Sequence, residues 1–186
     1  AEILIFFMCV TGMAMTGYYI FGPRVENNPV ETGKASLGYV KPLGADVRVK
    51  AESEQNWNSV RRDANVFRND RVYTGKSSAA KVNLKAGQTI TVEPSSLIVI
   101  DDRGEKSLID LGMGSLLGEL KKGARLLVRV KGRDTEIKSD GATMRLAANG
   151  DSSLRVVVLS GSAQVKNSSG QESKTLTANE EATVGP

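Results

Sequence analysis

From Gly38 onward the chain alternates polar and apolar residues in short runs, and that period of two constrains its fold more than any other feature. Asp46 to Lys50, Lys81 to Lys85 and Thr89 to Glu93 each place every second side chain on one face. Leu97 to Ile100, Leu126 to Val130, Thr135 to Lys138, Leu154 to Leu159 and Ser162 to Lys166 continue the series. Turn residues punctuate it at Ala86-Gly87, Lys122-Gly123, Lys131-Gly132, Asn149-Gly150 and Ser169-Gly170. No helical period competes. The stretch from Gly112 to Leu120 carries Gly112, Gly114 and Gly118, each costly inside a helix, and reads as a strand with a bulge or bend. Abundant Gly (19) and scarce Pro (5) suit a fold with many tight turns. The expectation is an all-β domain, its many short strands forming a sandwich or a solenoid-like stack.

One segment breaks the pattern. Ile3 to Phe21 is apolar and uncharged. As a helix it would span roughly 28 Å, about one hydrocarbon core. Tyr18 and Tyr19 fall near its end, Gly22-Pro23 stops it, and Arg24 follows. The competing reading is a secretory signal peptide, but the run is long for that and shows no clean cleavage site. The expected organisation is a transmembrane α-helix over 1–23, a polar linker over 24–37 and a β domain over 38–186. Within the helix, Gly12 and Thr16 lie four residues apart and would let a second membrane helix approach closely. Arg24 and Lys34 give a weak positive-inside signal toward a cytoplasmic domain.

Composition limits the chemistry. The chain has no histidine and one cysteine, Cys9, which excludes His-dependent triads, His-ligated metals, an intrachain disulfide and a cysteine-built zinc site. Ser77-Ser78 and Ser95-Ser96 lack a nucleophile elbow or an S-x-x-K pairing, and Asp101, Asp102 and Glu105 match no calcium-loop spacing. Neither an enzyme nor a cofactor is expected. The basic stretch from Lys121 to Lys138 offers Lys121, Lys122, Arg125, Arg129, Lys131 and Arg133 as a candidate interaction surface. It contains no aromatic residue, so nucleic acid is not expected. A solvated strand face, or an acidic protein or envelope polymer, fits it better.

The block from Asn69 to Gly75, followed by Ser78-Ala79 and Val82 to Leu84, resembles a FecR domain. Ala86 to Ile90, Glu93 to Leu97, Ile109 to Gly112, Val158 to Val165 and Leu176 to Ala182 follow in the family's order, and Trp57 stands where the family often has a tryptophan. Turn chemistry accounts for these motif residues, with a ligand site at the Asp70–Thr74 loop as the alternative. The resemblance implies a single-pass protein of the bacterial inner membrane with its C-terminal domain in the periplasm. The best-known relatives link an outer-membrane receptor to a cytoplasmic sigma factor. Their cytoplasmic anti-sigma region is not visible here, nor is the Gly-Thr dipeptide at which some members cleave themselves. The first expectation is therefore a non-enzymatic scaffold or accessory subunit of an envelope complex. Its partners would be other membrane-protein subunits, the inner membrane and an acidic envelope polymer. The alternative is a transmembrane signal transducer of the FecR sigma-regulator type.

Overall fold

The computed structural model describes residues 35–102, 106–167 and 173–185. The apolar run, with Gly12 and Thr16, lies outside them, and among the described residues no helix is long and apolar enough to cross a membrane. Every regular element described is a strand, and the strands form two sheets. The chain enters the first sheet with β1 (Gly38–Pro42), crosses to the second for β2 (Val47–Lys50) and β3 (Asn58–Ser59), and returns for β4 (Ala64–Val66). Strand β5 (Asp70–Thr74) lies in the second sheet, and β6 (Ala80–Leu84) and β7 (Thr89–Val92) form a hairpin in the first. Strands β8 (Leu97–Asp102) and β9 (Ser107–Met113) pair in the second sheet, and β10 (Ser115–Leu120) stands alone in the first. Then come β11 (Arg125–Val130) and β12 (Arg133–Ser139) in the second, and β13 (Ala142–Ala148) and β14 (Leu154–Ser160) in the first. Strands β15 (Ser162–Asn167) and β16 (Ser173–Thr177) close the second sheet, and β17 (Glu181–Val184) closes the first.

From β5 onward both sheets grow in one direction as the chain advances, so the fold is a two-sheet stack laid down in sequence order. Strand direction follows from parity. A hairpin inserted in the opposite sheet returns the chain antiparallel to the strand it left, as at β7/β10 and β10/β13. The lone β10 is an odd insertion, and β11 accordingly runs parallel to β9, the one parallel pairing among the described strands.

Alternation sets the core. In β6, Ala80, Val82 and Leu84 are buried while Lys81 and Asn83 face out. The same pattern in both sheets builds one cluster, including Val72, Ile90, Ile98, Leu116, Ile137 and Val156. The expected bend near Gly112 is a crossing between sheets. Gly114 has φ +84°, and a Cβ there would fall on the Ser96 side chain. Lys131 and Gly132, at φ +47° and +84°, make the tight two-residue turn of the β11–β12 hairpin. Gly87 has a positive φ of +88°, as a turn glycine can, but Gly75 does not; at Gly75 the Asp46 side chain occupies the place of a Cβ.

Crossings leave backbone groups beyond the ladders, and buried hydroxyls satisfy them. The Asp46 amide donates to Ser78 Oγ at 3.0 Å. Thr74, fully buried, donates from Oγ1 to the Glu93 carbonyl at 2.6 Å and accepts the Ser96 amide at 3.1 Å. Ser96 Oγ accepts the Ser115 amide at 3.0 Å, tying the β7–β8 crossing to the start of β10. Ser139 Oγ donates to the Leu120 carbonyl at 3.1 Å and accepts the Ala142 amide at 2.8 Å. Replacing Thr74 by Val keeps the volume and strands two buried groups. It is expected to cost about 1–3 kcal/mol in equilibrium urea unfolding. Gly150→Ala, at a position with open space around it, is expected to change stability by no more than about 0.5 kcal/mol.

Candidate functional site on the outer face of the second sheet

The outward positions of the second sheet gather most of the side chains with binding chemistry. On β11 the inward residues Leu126, Val128 and Val130 are buried, leaving Arg125, Leu127 and Arg129 outside. Register places Arg125 opposite Lys138, Leu127 opposite Glu136 and Arg129 opposite Asp134 on β12. Arg129 lies beside Asp110 of β9.

This geometry divides the basic set expected from the sequence. Lys121 and Lys122 sit at the turn before β11, near Arg125 and Lys138, and Lys122 pairs with Asp140 at 3.1 Å. An open groove of about 500 Å³ lies there, lined by Lys122, Lys138, Asp140, Gln164 and Thr175 among others. Lys131 and Arg133 are carried to the opposite end of the strand, where Lys131 Nζ donates to the Gly150 carbonyl at 2.7 Å. Between the two ends Arg129 is engaged by Asp134, through Nε to Oδ1 at 2.6 Å and Nη2 to Oδ2 at 3.0 Å. That bond holds its guanidinium above the usual range. The structure thus leaves Lys121, Lys122 and Arg125 at one end of β11 and carries Lys131 and Arg133 to the other.

Burial pushes the Asp110 carboxyl above the usual carboxylate range; Arg129 opposes the shift and Asp134 adds to it. A raised pKa means that the folded chain holds this proton more tightly than the unfolded chain. The contribution to stability is therefore present at low pH and is lost as pH rises from 3.8 through the folded value. Asp110→Asn is expected to raise the urea midpoint at neutral pH, with the gain shrinking on acidification. A gain independent of pH would contradict this assignment.

A second grouping was not assembled from the sequence. Arg48, Tyr73, Leu97 and Met113 face one another in register across β2, β5, β8 and the end of β9. The Trp57 ring meets Tyr73 edge-on at 6.1 Å, and the Arg48 guanidinium lies 5.7 Å from the Tyr73 ring centre. Trp57 and Met113 are 40% and 45% exposed, so this row is an apolar strip open to solvent. Trp57 stood out in the sequence as a single residue, but its partners follow only from strand register.

The motif at Asp70–Thr74 is turned inward. Asp70 is buried and its Oδ2 accepts the Phe67 amide at 2.8 Å, closing the turn into β5, while Thr74 closes a crossing. These side chains shape the fold, and the alternative of a ligand site on that loop is set aside. Asp101 pairs with Arg68 at 3.2 Å, and among the described residues no group of three acidic, His or Cys side chains is placed to hold a metal.

These features define a two-sheet β module with buried hydroxyl corners and a charged, partly apolar outer face. The family model for FecR protein matches residues 70–164, from β5 into β15, and the chain belongs to that family. No curated protein matches the sequence. Two crystal structures of a candidate anti-sigma factor from Parabacteroides distasonis are similar to this chain. They share 18% and 17% identity, each with a TM-score of 0.49 over 62% of this chain and 54% of theirs. This chain therefore spans about half the length of those proteins.

Proposed function

We propose that the chain is a signal transducer of the FecR type, a membrane-anchored β module that passes an envelope signal inward through protein contacts. Family membership over residues 70–164 is the observation that carries this reading. It favours the transducer over the scaffold subunit that the sequence suggested first, since the scaffold rested on missing sigma-regulator features. In this reading the module sits in the periplasm behind a single inner-membrane helix. Gly12 and Thr16 serve helix contacts, and no reaction is catalysed. Lys122, which lines the groove with Lys138, is the part of the basic set suited to an acidic polymer or protein.

Gentle detergent extraction of the tagged full chain from its native membranes, with mass spectrometry of what accompanies it, tests the proposal. Recovery of a sigma factor or an outer-membrane receptor is the expected result. A stoichiometric set of other membrane subunits, with neither of those present, would overturn it and restore the scaffold.

A further inference from the structure

The last strand of a sheet has half of its backbone groups outside the ladder, and a further strand can take them. Among the described residues the two sheets end in β4 and β17, and in β3 and β16. Three of these edges are blunted. Strands β3 and β4 have only two and three residues. On β16, Lys174 stands opposite the inward-facing Val165, so a cation takes a core-facing position, which deters edge-to-edge pairing. Strand β17 carries no such guard. It has four residues, Ala182 and Val184 pack against the core, and its one charge, Glu181, is exposed and paired with Arg155. Register shows what its open side offers. The Val158 amide donates to the Glu180 carbonyl at 3.0 Å, and Val156 and Leu154 stand opposite Ala182 and Val184. Hydrogen-bonded pairs alternate along an antiparallel ladder, so the amides and carbonyls of Ala182 and Val184 are spent on β14. Those of Glu181, Thr183 and, just past the strand, Gly185 point to the open side.

From this alternation we infer that β17 is a pairing edge for a second copy of the chain, joined antiparallel about a two-fold axis at Thr183. The residue on the axis must direct its amide and carbonyl outward, which excludes Ala182 and Val184. It must not set like charges opposite one another, which excludes Glu181. Thr183 is the middle of the three outward residues, so all three find partners. The two Thr183 residues exchange both hydrogen bonds across the axis, and their β-branched side chains form a cross-strand pair. Glu181 faces Gly185 across the seam, so no carboxylate meets another, and Ala182 faces Val184 over the end of the core. Inward residues thus meet inward residues, as a continuous sheet requires. This match of charge, hydrogen-bond phase and facing with itself is what argues for a second copy. A seam of one strand is small beside the about 1,200–2,000 Å² of a stable interface, so the dimer is a transient one. The inference goes beyond the transducer reading and does not rest on it. A dimer with no co-purifying sigma factor or receptor removes only the functional reading; the converse removes only this edge.

Cysteine cross-linking of the full chain in the cells that express it tests the seam. A Cys9→Ser background leaves the introduced thiol as the only one. A hydrogen-bonded antiparallel pair holds its Cα atoms about 5.5 Å apart, within reach of a disulfide. With copper phenanthroline as oxidant, Thr183→Cys chains are expected to form dimers at least about tenfold faster than Ala86→Cys chains, because pairing raises the effective concentration of the two thiols. Ala86 is exposed in the β6–β7 turn, in the middle of the first sheet. Glu181→Cys and Gly185→Cys chains are expected to cross-link when mixed and not when alone, which reads the register. Thr183→Pro removes the outward amide and leaves the β14 ladder intact, since an edge strand tolerates proline where its nitrogen faces solvent. Added to the mixed pair, it is expected to bring cross-linking down to the Ala86→Cys rate, with an unchanged circular dichroism spectrum. Cross-linking of Thr183→Cys at the Ala86→Cys rate would overturn the inference and assign the edge to another segment or another protein. Mixed thiols that link no better than each alone, or linking that survives Thr183→Pro, would overturn it as well.

Discussion

The stack depends on how the chain turns the corner between its two sheets. Each crossing takes backbone amides and carbonyls out of one ladder before they enter the next, close to an apolar core where water cannot satisfy them. The chain solves this repeatedly in the same way, with a small hydroxyl residue buried at the corner. Ser78 serves the entry to β2, Thr74 and Ser96 join the β5, β8 and β10 corners, and Ser139 joins β10, β12 and β13. Gln88 adds a bridge between sheets, its amide donating to the Arg125 carbonyl at 3.1 Å while Ser107 Oγ donates to its Oε1 at 3.2 Å. A hydroxyl serves as donor and acceptor at once, so one side chain can close both halves of a corner. Apolar side chains of similar size would fill the space and leave those groups unpaired.

With the corners closed, the outer faces become fixed rows of side chains whose neighbours are set by register. Part of the charge on those rows is neutralised locally: Arg129 with Asp134, Lys106 with Glu136, Arg145 with Glu93, Arg155 with Glu181. Exposed pairs of this kind add little stability. A module whose interior is closed can act through its outer rows without altering its fold, as an interaction-based function requires.

The alternating strands could be read from the sequence because each needs only its own period. β2, β6, β7, β8, β11, β12, β14 and β15 all lie on runs expected there. β13 escaped notice because Ala142, Ala147 and Ala148 dilute the alternation; its place between β10 and β14 makes it a strand. β3 and β4 are too short for any period to show. The motif from Asn69 to Gly75 was visible as a family resemblance, but the reason for Gly75 was not, since it depends on Asp46 arriving from the segment before β2. The basic set was visible as composition only. Proximity in sequence suggested one surface, and the β11–β12 hairpin carries its members to opposite ends.

Native-state hydrogen exchange on the full chain tests the corner closure most directly. The amides of Ser96, Ser115 and Ala142, which donate to buried hydroxyls, should exchange as slowly as those inside β6 and β8, because opening them requires opening the stack. Exchange of these amides at loop rates while the flanking strands remain protected would contradict the account, placing the hold on the stack in the ladders and core alone.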